Sequence, residues 1–127
     1  MFFTIDTIVV DIVKVAVYSQ IMKKTIQDLR TNFIPRQYML SKDFEVYYYS
    51  DLNMGNVEKH SHDYYEFYFF LGGDVSITIR EKTERLTEGD IIIIPPHTEH
   101  YLTVHDAGIT YRRFIFWMSR DFCNSLL

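Results

Sequence analysis

Between residues 35 and 118 the hydrophobic and polar positions follow the short period of β-strands. Residues 75–80 alternate cleanly, which predicts a strand with Val75, Ile77 and Ile79 facing the core. Aromatic and aliphatic runs without alternation at residues 65–71 and 91–94 predict strands that are buried on both faces. Further strands are predicted at residues 44–49, 100–104 and 111–117.

Glycine, proline and acidic residues separate these runs and indicate turns. Gly72, Gly73 and Asp74 form a hairpin signal, and turns are also predicted at residues 51–56, 81–83 and 88–90. The prolines at residues 95–96 end a strand, because proline cannot donate to a β-ladder. About seven strands at this spacing are typical of an all-β sandwich or barrel.

The two ends of the chain differ from this central region, which divides the sequence into three parts. Residues 1–34 are predicted to form an N-terminal extension or arm with a short helical segment, residues 35–118 the barrel, and residues 119–127 the start of a C-terminal helix with Ser119 as N-cap. Residues 1–21 are rich in Ile and Val, but Asp6, Asp11 and Lys14 interrupt them, which argues against a signal peptide or a membrane span. A packed amphipathic helix, a strand, and a native start at Met22 all remain open for this segment.

Composition and charge narrow the range of partners. The chain has 127 residues, and 13 basic against 17 acidic residues give a net charge of -4, which argues against direct nucleic-acid contact. Aromatic residues make up 17% of the chain, which favours β-structure and binding surfaces. The single cysteine, Cys123, fits a reducing cytoplasm and is interpreted as an incidental thiol.

Three histidines and a glutamate have the spacing of a metal site. His60 and His62 are two residues apart, so on a continuous strand they would share a face. Glu66 follows, and either a continuous strand or a bend at residues 63–64 would bring it to the same site. With His100, the set suits Fe, Mn, Ni, Zn or Cu, with Glu66 as a ligand or a base. The alternative is that these histidines are ordinary polar or hydrogen-bonded residues.

This region resembles the two-part cupin signature, whose first part carries the H-x-H and Glu ligands and whose second part carries the last His. The sequence departs from that signature in three ways: the first glycine lies one residue closer to the histidines, His97 replaces a glycine, and Val104 replaces the final asparagine. No position of a metal ligand is lost. The matching residues are Gly55, His60, His62, Glu66, the pair Gly72 and Gly73, Gly89, Pro95 and His100.

A second resemblance is more specific. The H-x-H-D-x-x-E-aromatic run at residues 60–73, the Gly-Asp-aliphatic-Pro-Pro segment at residues 86–96 and the strand at residues 111–117 resemble the sensor domain of AraC-type transcription regulators. The likeness extends from about residue 44 to residue 127. It implies a cupin barrel (a double-stranded β-helix, or jelly roll) that binds a small effector, often a sugar, in a homodimeric regulator. No helix-turn-helix is visible, so the resemblance implies a sensing domain without its DNA-binding half.

These resemblances also imply a set of effector-binding residues, and no catalytic residue is assigned. The main alternative function is a stand-alone metal-dependent cupin enzyme of the dioxygenase or sugar isomerase type, and a binding or storage barrel is a third. Tyr68 and Trp117 also have the simpler interpretation of plain core residues. The expected ligand-binding residues are His60, His62, Glu66, Tyr68, His100 and Trp117, and the expected metal ligands are His60, His62, Glu66 and His100.

Overall fold

The structure is a computed structural model that describes residue 33 and residues 35–127. The predicted N-terminal extension therefore lies almost wholly outside the described residues. In the described part the chain forms eight strands followed by one helix. Their bounds are β1 Phe44–Asp51, β2 Val57–His60, β3 Tyr65–Gly72, β4 Val75–Ile79, β5 Lys82–Arg85, β6 Ile91–Ile94, β7 His100–Val104, β8 Tyr111–Met118 and α1 Arg120–Leu126.

The strands form two four-stranded antiparallel sheets. One sheet has the order β1-β8-β3-β6, and the other has the order β2-β7-β4-β5. Apart from the β4–β5 hairpin, every pair of neighbouring strands is distant in sequence, as expected for a jelly-roll barrel. This arrangement confirms the predicted all-β barrel with a short C-terminal helix.

Two strands escaped the sequence analysis. Strand β5 begins at Lys82, where a turn had been expected, and the turn is confined to Arg80 and Glu81. All four residues of β5 are exposed, so this edge strand carries no apolar alternation that could reveal it. Strand β2 was also missed, because Val57 is its one apolar residue.

The first sheet is buried on both faces. Its inner face contributes Tyr68 and Ile115 to a core cluster inside the barrel. Its outer face contributes Phe67 and Phe116 to a second cluster, which α1 covers with Cys123. This confirms the predicted two-sided burial of β3. It also explains how such a small domain gains enough apolar burial, at about 1.5–3 kcal/mol for each large side chain.

The loop between β6 and β7 holds the histidine-bearing segments together. His97, which stands where the cupin signature has glycine, adopts a left-handed φ of 60°. Its backbone N–H donates to the carbonyl oxygen of His62 at 2.7 Å. The backbone therefore keeps the conformation that glycine would adopt, even though a side chain makes it strained. Ser119 caps α1 as predicted, because its side chain accepts a hydrogen bond from the backbone N–H of Phe122.

We expect His97→Gly to raise the free energy of unfolding by about 0.5–1 kcal/mol, because glycine adopts positive φ without a steric penalty. The exposed imidazole makes little packing that would be lost. Chemical denaturation followed by circular dichroism measures the change. Glu99→Gly, two residues away at an ordinary φ, is the matched control and should lower stability. Destabilisation by His97→Gly would contradict the strain at this turn.

Candidate functional site

The three histidines come together at one end of the barrel, although they belong to different segments. His60 of β2 is paired directly with His100 of β7, and their ring centroids are 4.2 Å apart. His62 lies beyond the end of β2, so the continuous strand on which it would share a face with His60 does not form. The chain bends at residues 63–64 instead, which was the second option for placing Glu66. One ring nitrogen from each histidine lies within 4.8 Å of the others.

Each imidazole is oriented by a backbone carbonyl. The Nδ1 atoms of His60, His62 and His100 lie 2.7, 3.1 and 2.8 Å from the carbonyl oxygens of residues 58, 64 and 98. A carbonyl oxygen only accepts hydrogen bonds, so each Nδ1 carries the hydrogen. In the neutral ring, the Nε2 atom then carries a lone pair and is available as a ligand.

Glu66 brings a carboxylate from the opposite sheet to these nitrogens. Its Oε2 atom lies 3.1 Å from Nε2 of His100 and 3.7 Å from Nε2 of His62. Its Oε1 atom accepts a 2.9 Å hydrogen bond from the indole N–H of Trp117. Within the described part of the chain, both of these buried Nε2 atoms lack a hydrogen-bond partner. Lone pairs that face a carboxylate require a positive charge between them, either a proton or a metal ion, so the donor set fits a metal.

The protonation of this cluster follows from burial and from its mutual contacts. Burial by itself raises the pKa of Glu66, but the imidazoles of His100 and His62 outweigh it and hold the pKa well below its usual value. Burial likewise lowers the pKa of His100, but the Glu66 carboxylate outweighs it and raises that pKa. Burial lowers the pKa of His60. Without a metal, a proton is therefore held most readily by His100.

A cavity inside the barrel opens beside this cluster. It comprises about 510 Å³ of empty space, part of which is open to solvent. The lining includes the predicted site residues His60, Glu66, Tyr68, His100 and Trp117, whereas His62 contributes to the imidazole cluster and does not line the cavity.

Comparison with known proteins identifies the domain. Residues 44–120 match the family described as the AraC-like ligand binding domain. The chain belongs to this family. The resemblance seen in the sequence is thereby confirmed. A search of curated proteins found no match to this chain.

Solved structures similar to this AraC-like domain share the cupin fold. A cupin protein from Bacteroides fragilis is 22% identical with a TM-score of 0.54, covering 63% of this chain and 69% of that one. KdgF from Halomonas sp. is 18% identical with a TM-score of 0.53, covering 64% and 75%. The Cnp3 cupin domain from Schizosaccharomyces pombe is 11% identical with a TM-score of 0.58, covering 69% and 61%. These similarities confirm the predicted cupin barrel.

The two aromatic residues expected to bind ligand occupy the lumen of the AraC-like domain. Tyr68 and Trp117 belong to the inner core cluster and also line the cavity. Their position therefore agrees with the interpretation as core residues and also leaves the ligand-binding interpretation open. The hydroxyl of Tyr68 is hydrogen-bonded to the hydroxyl of Tyr111. Because the indole N–H of Trp117 is bonded to Glu66, these residues offer a ligand mainly their ring surfaces.

Two arginines that the sequence analysis missed also line the lumen. Arg36 is bonded to Glu45 at 2.8 Å, and its buried Nε atom has no hydrogen-bond partner among the described residues. Arg113 is bonded to Asp51 at 2.6 Å. The position of Arg113 was detectable, because it alternates with the inward-facing Trp117 along β8. Arg36 precedes the first strand and has no such periodic signal.

No helix among the described residues has the length and hydropathy needed to cross a membrane.

Tyr64 supports His62 in two ways. Its ring stacks on the His62 ring at 4.0 Å with an interplanar angle of 0°, and its carbonyl is the acceptor for His62 Nδ1. Its hydroxyl is buried and has no hydrogen-bond partner within the described residues. Two aromatic residues next to the histidine cluster therefore differ in their polar groups. The indole N–H of Trp117 is hydrogen-bonded to Glu66, whereas the hydroxyl of Tyr64 has no partner among the described residues.

We expect Trp117→Phe to lower the free energy of unfolding by about 1.5–3 kcal/mol, because a buried carboxylate loses a charged hydrogen bond. Tyr64→Phe is the matched control and should leave stability unchanged or raise it, because its buried hydroxyl makes no bond. Urea denaturation followed by circular dichroism measures both. Equal costs for the two variants would contradict a specific role for the Trp117–Glu66 bond.

Proposed function

We propose that this AraC-like domain senses a small hydroxylated molecule in its lumen with the help of a divalent metal ion. The ligands of the ion would be His60, His62, Glu66 and His100. The observation that carries the proposal is the convergence of unbonded imidazole Nε2 atoms on a buried carboxylate. Three nitrogens and one oxygen suit Fe(II), Mn, Ni, Zn or Cu, with positions left for a further ligand.

The protein supports this role through the atoms around the ligands. The carbonyl bonds to the three Nδ1 atoms select the tautomer that leaves Nε2 for the metal. The Trp117 indole holds one oxygen of Glu66 and leaves the other facing the imidazoles. A bound metal would supply Lewis-acid attraction for an oxygen of the effector.

The rest of the lumen suits a polyol or sugar. Rings of Tyr49, Tyr111 and Trp117 line it, and aromatic faces pack well against the C–H faces of sugars. Arg36 adds a buried Nε–H donor that lacks a hydrogen-bond partner among the described residues. A ligand hydroxyl that accepts from this donor would offset the free-energy cost of its desolvation. A few polar groups among apolar walls give orientation as well as affinity.

We further propose that effector binding is transmitted as in a transcription regulator, whose DNA-binding part would lie outside this chain. Strand β8 lines the lumen through Trp117, and α1 starts two residues after β8 ends. An effector changes the population of two states only through its different affinity for each, so movement of this strand-to-helix junction would provide that difference. The homodimer and the cytoplasmic location remain predictions.

A metal-dependent cupin enzyme is the second candidate, and the same donor set favours it. Three imidazoles and a carboxylate next to a lumen could activate a substrate as well as hold an effector. The two functions differ in what happens to the bound molecule. A sensor releases its ligand unchanged, whereas an enzyme releases a product.

We expect the purified full-length chain to bind one divalent ion, and His62→Ala to weaken that binding by roughly 100-fold or more, because a ligand is lost. Metal content by mass spectrometry and affinity by competition with a chelator provide the measurement. His105→Asn is the matched control, because that exposed histidine hydrogen-bonds to Ser76 outside the cluster. Equal affinity in the His62 variant would contradict the metal centre.

We expect polyols or sugars to raise the melting temperature of the metal-loaded protein, because a ligand that binds only the folded state stabilises it. Leu102→Phe, which narrows the lumen, should abolish this shift. Leu52→Phe is the control, since Leu52 is exposed and does not line the cavity. Chromatography of the recovered ligand distinguishes the candidates: an altered ligand supports the enzyme, and the absence of any shift contradicts sugar sensing.

A further inference from the structure

A buried guanidinium lies in the lumen wall away from the imidazole cluster. Arg113 and Trp117 both face the lumen from β8, four residues apart, which corresponds to about 13 Å along the strand. Trp117 marks the end with Glu66 and the histidines. Arg113 therefore marks a second polar position in the same cavity, and its side chain is only 2% exposed.

The Arg113 guanidinium is held rigidly. It lies 4.0 Å from the ring centroid of Tyr111 and 4.6 Å from that of Tyr49. One edge is fixed by Nη1, which donates to Asp51 at 2.6 Å and to the carbonyl of Tyr111 at 3.2 Å. A donor fixed in this way loses little side-chain entropy when it binds a ligand.

The other edge has a weak partner. In the described part of the chain, Nη2 of Arg113 donates to the thioether sulfur of Met54 at 3.3 Å. A thioether is a weak acceptor, whereas an anionic oxygen makes a much stronger bond to a guanidinium. Met54 is half-buried in the loop after β1, and it lines the cavity. Its flexible side chain occupies the place where a ligand oxygen would bind.

The charges around the lumen decide whether an anionic or a neutral oxygen of a ligand is favoured. Arg36 and Arg113 are accompanied by Glu45 and Asp51, so each arginine is paired with one carboxylate. Glu66 carries one negative charge and so neutralises only half of the charge of a divalent ion. The metal-bound imidazoles are neutral. The loaded site therefore has an excess of one positive charge, which favours a ligand with one negative charge.

We infer that the ligand is a hydroxylated carboxylate of the sugar-acid class, whose carboxylate displaces Met54 from Arg113 while its hydroxyls face the imidazole end. This inference rests on the proposed function, because the charge excess requires the metal. It assigns Arg113 as the residue that distinguishes a sugar acid from the corresponding neutral polyol.

Gluconate and glucitol test the inference, because they share a hydroxylated chain and differ in a carboxylate against a CH2OH group. Calorimetry of the metal-loaded full chain should show gluconate binding about tenfold or more tightly than glucitol. Metal content measured after each titration verifies that gluconate has not removed the ion. Equal affinities would overturn the carboxylate site and leave the hydroxyl-binding lumen intact, whereas binding of neither probe at millimolar concentration would overturn both proposals.

Variants then locate the effect. Arg113→Lys keeps the charge but loses the planar pair of donors, and it should weaken gluconate binding about tenfold more than it weakens glucitol binding. Arg112→Lys, at the exposed neighbouring position on β8, is the matched control and should change neither affinity. Circular dichroism establishes that both variants fold. An equal loss for both probes in Arg113→Lys, or no loss for gluconate, would overturn the inference.

Met54→Leu provides a test that leaves Arg113 intact. Leucine has similar bulk but offers no acceptor, so gluconate no longer has to displace the sulfur contact. Gluconate should therefore bind a few-fold more tightly to this variant than to the unaltered chain, and this gain should exceed any change for glucitol. Unchanged or weaker gluconate binding would contradict the role assigned to Met54 and, with it, the inference.

Discussion

The candidate site depends on one electrostatic requirement: buried acceptor atoms that face each other need a positive charge between them. Backbone carbonyls hold the hydrogens of the three imidazoles on Nδ1, and the Nε2 atoms of His62 and His100 lie next to the Glu66 carboxylate. A proton on His100 meets the requirement in part, which is why the pKa of that residue is raised. A metal ion meets it for the whole set, because it accepts all the lone pairs at once.

The barrel makes this convergence stable. His60 and His100 come from paired strands of one sheet, and Glu66 comes from the facing sheet. Two loops complete the site, since the backbone N–H of His97 holds the carbonyl of His62. The cluster therefore forms only when both sheets have closed, and its geometry depends on the packed core between them.

The lumen has polar groups at more than one position. Imidazoles and Glu66 lie at one end, Arg113 lies further along β8, and aromatic rings line the walls between them. Such a cavity can orient an elongated, hydroxylated ligand as well as bind it. Because α1 begins shortly after β8 ends, a strand that lines the lumen also leads to the C-terminal helix. Membership of the AraC-like family agrees with a ligand-binding role for this lumen.

The sequence by itself determined the strands with apolar alternation or unbroken apolar runs, the fold class, the family and the four candidate metal ligands. These patterns work because β4 alternates and β6 is wholly apolar, whereas the polar edge strand β5 has no such signal. Only the tertiary structure decided that His62 lies off the strand, that Trp117 bonds to Glu66, and that Arg36 and Arg113 reach one lumen. The alternation of residues reports which face of a strand a side chain occupies, but strand pairing decides which faces meet. Contacts between residues as distant in sequence as Glu66 and Trp117 therefore follow from sheet topology and not from local pattern.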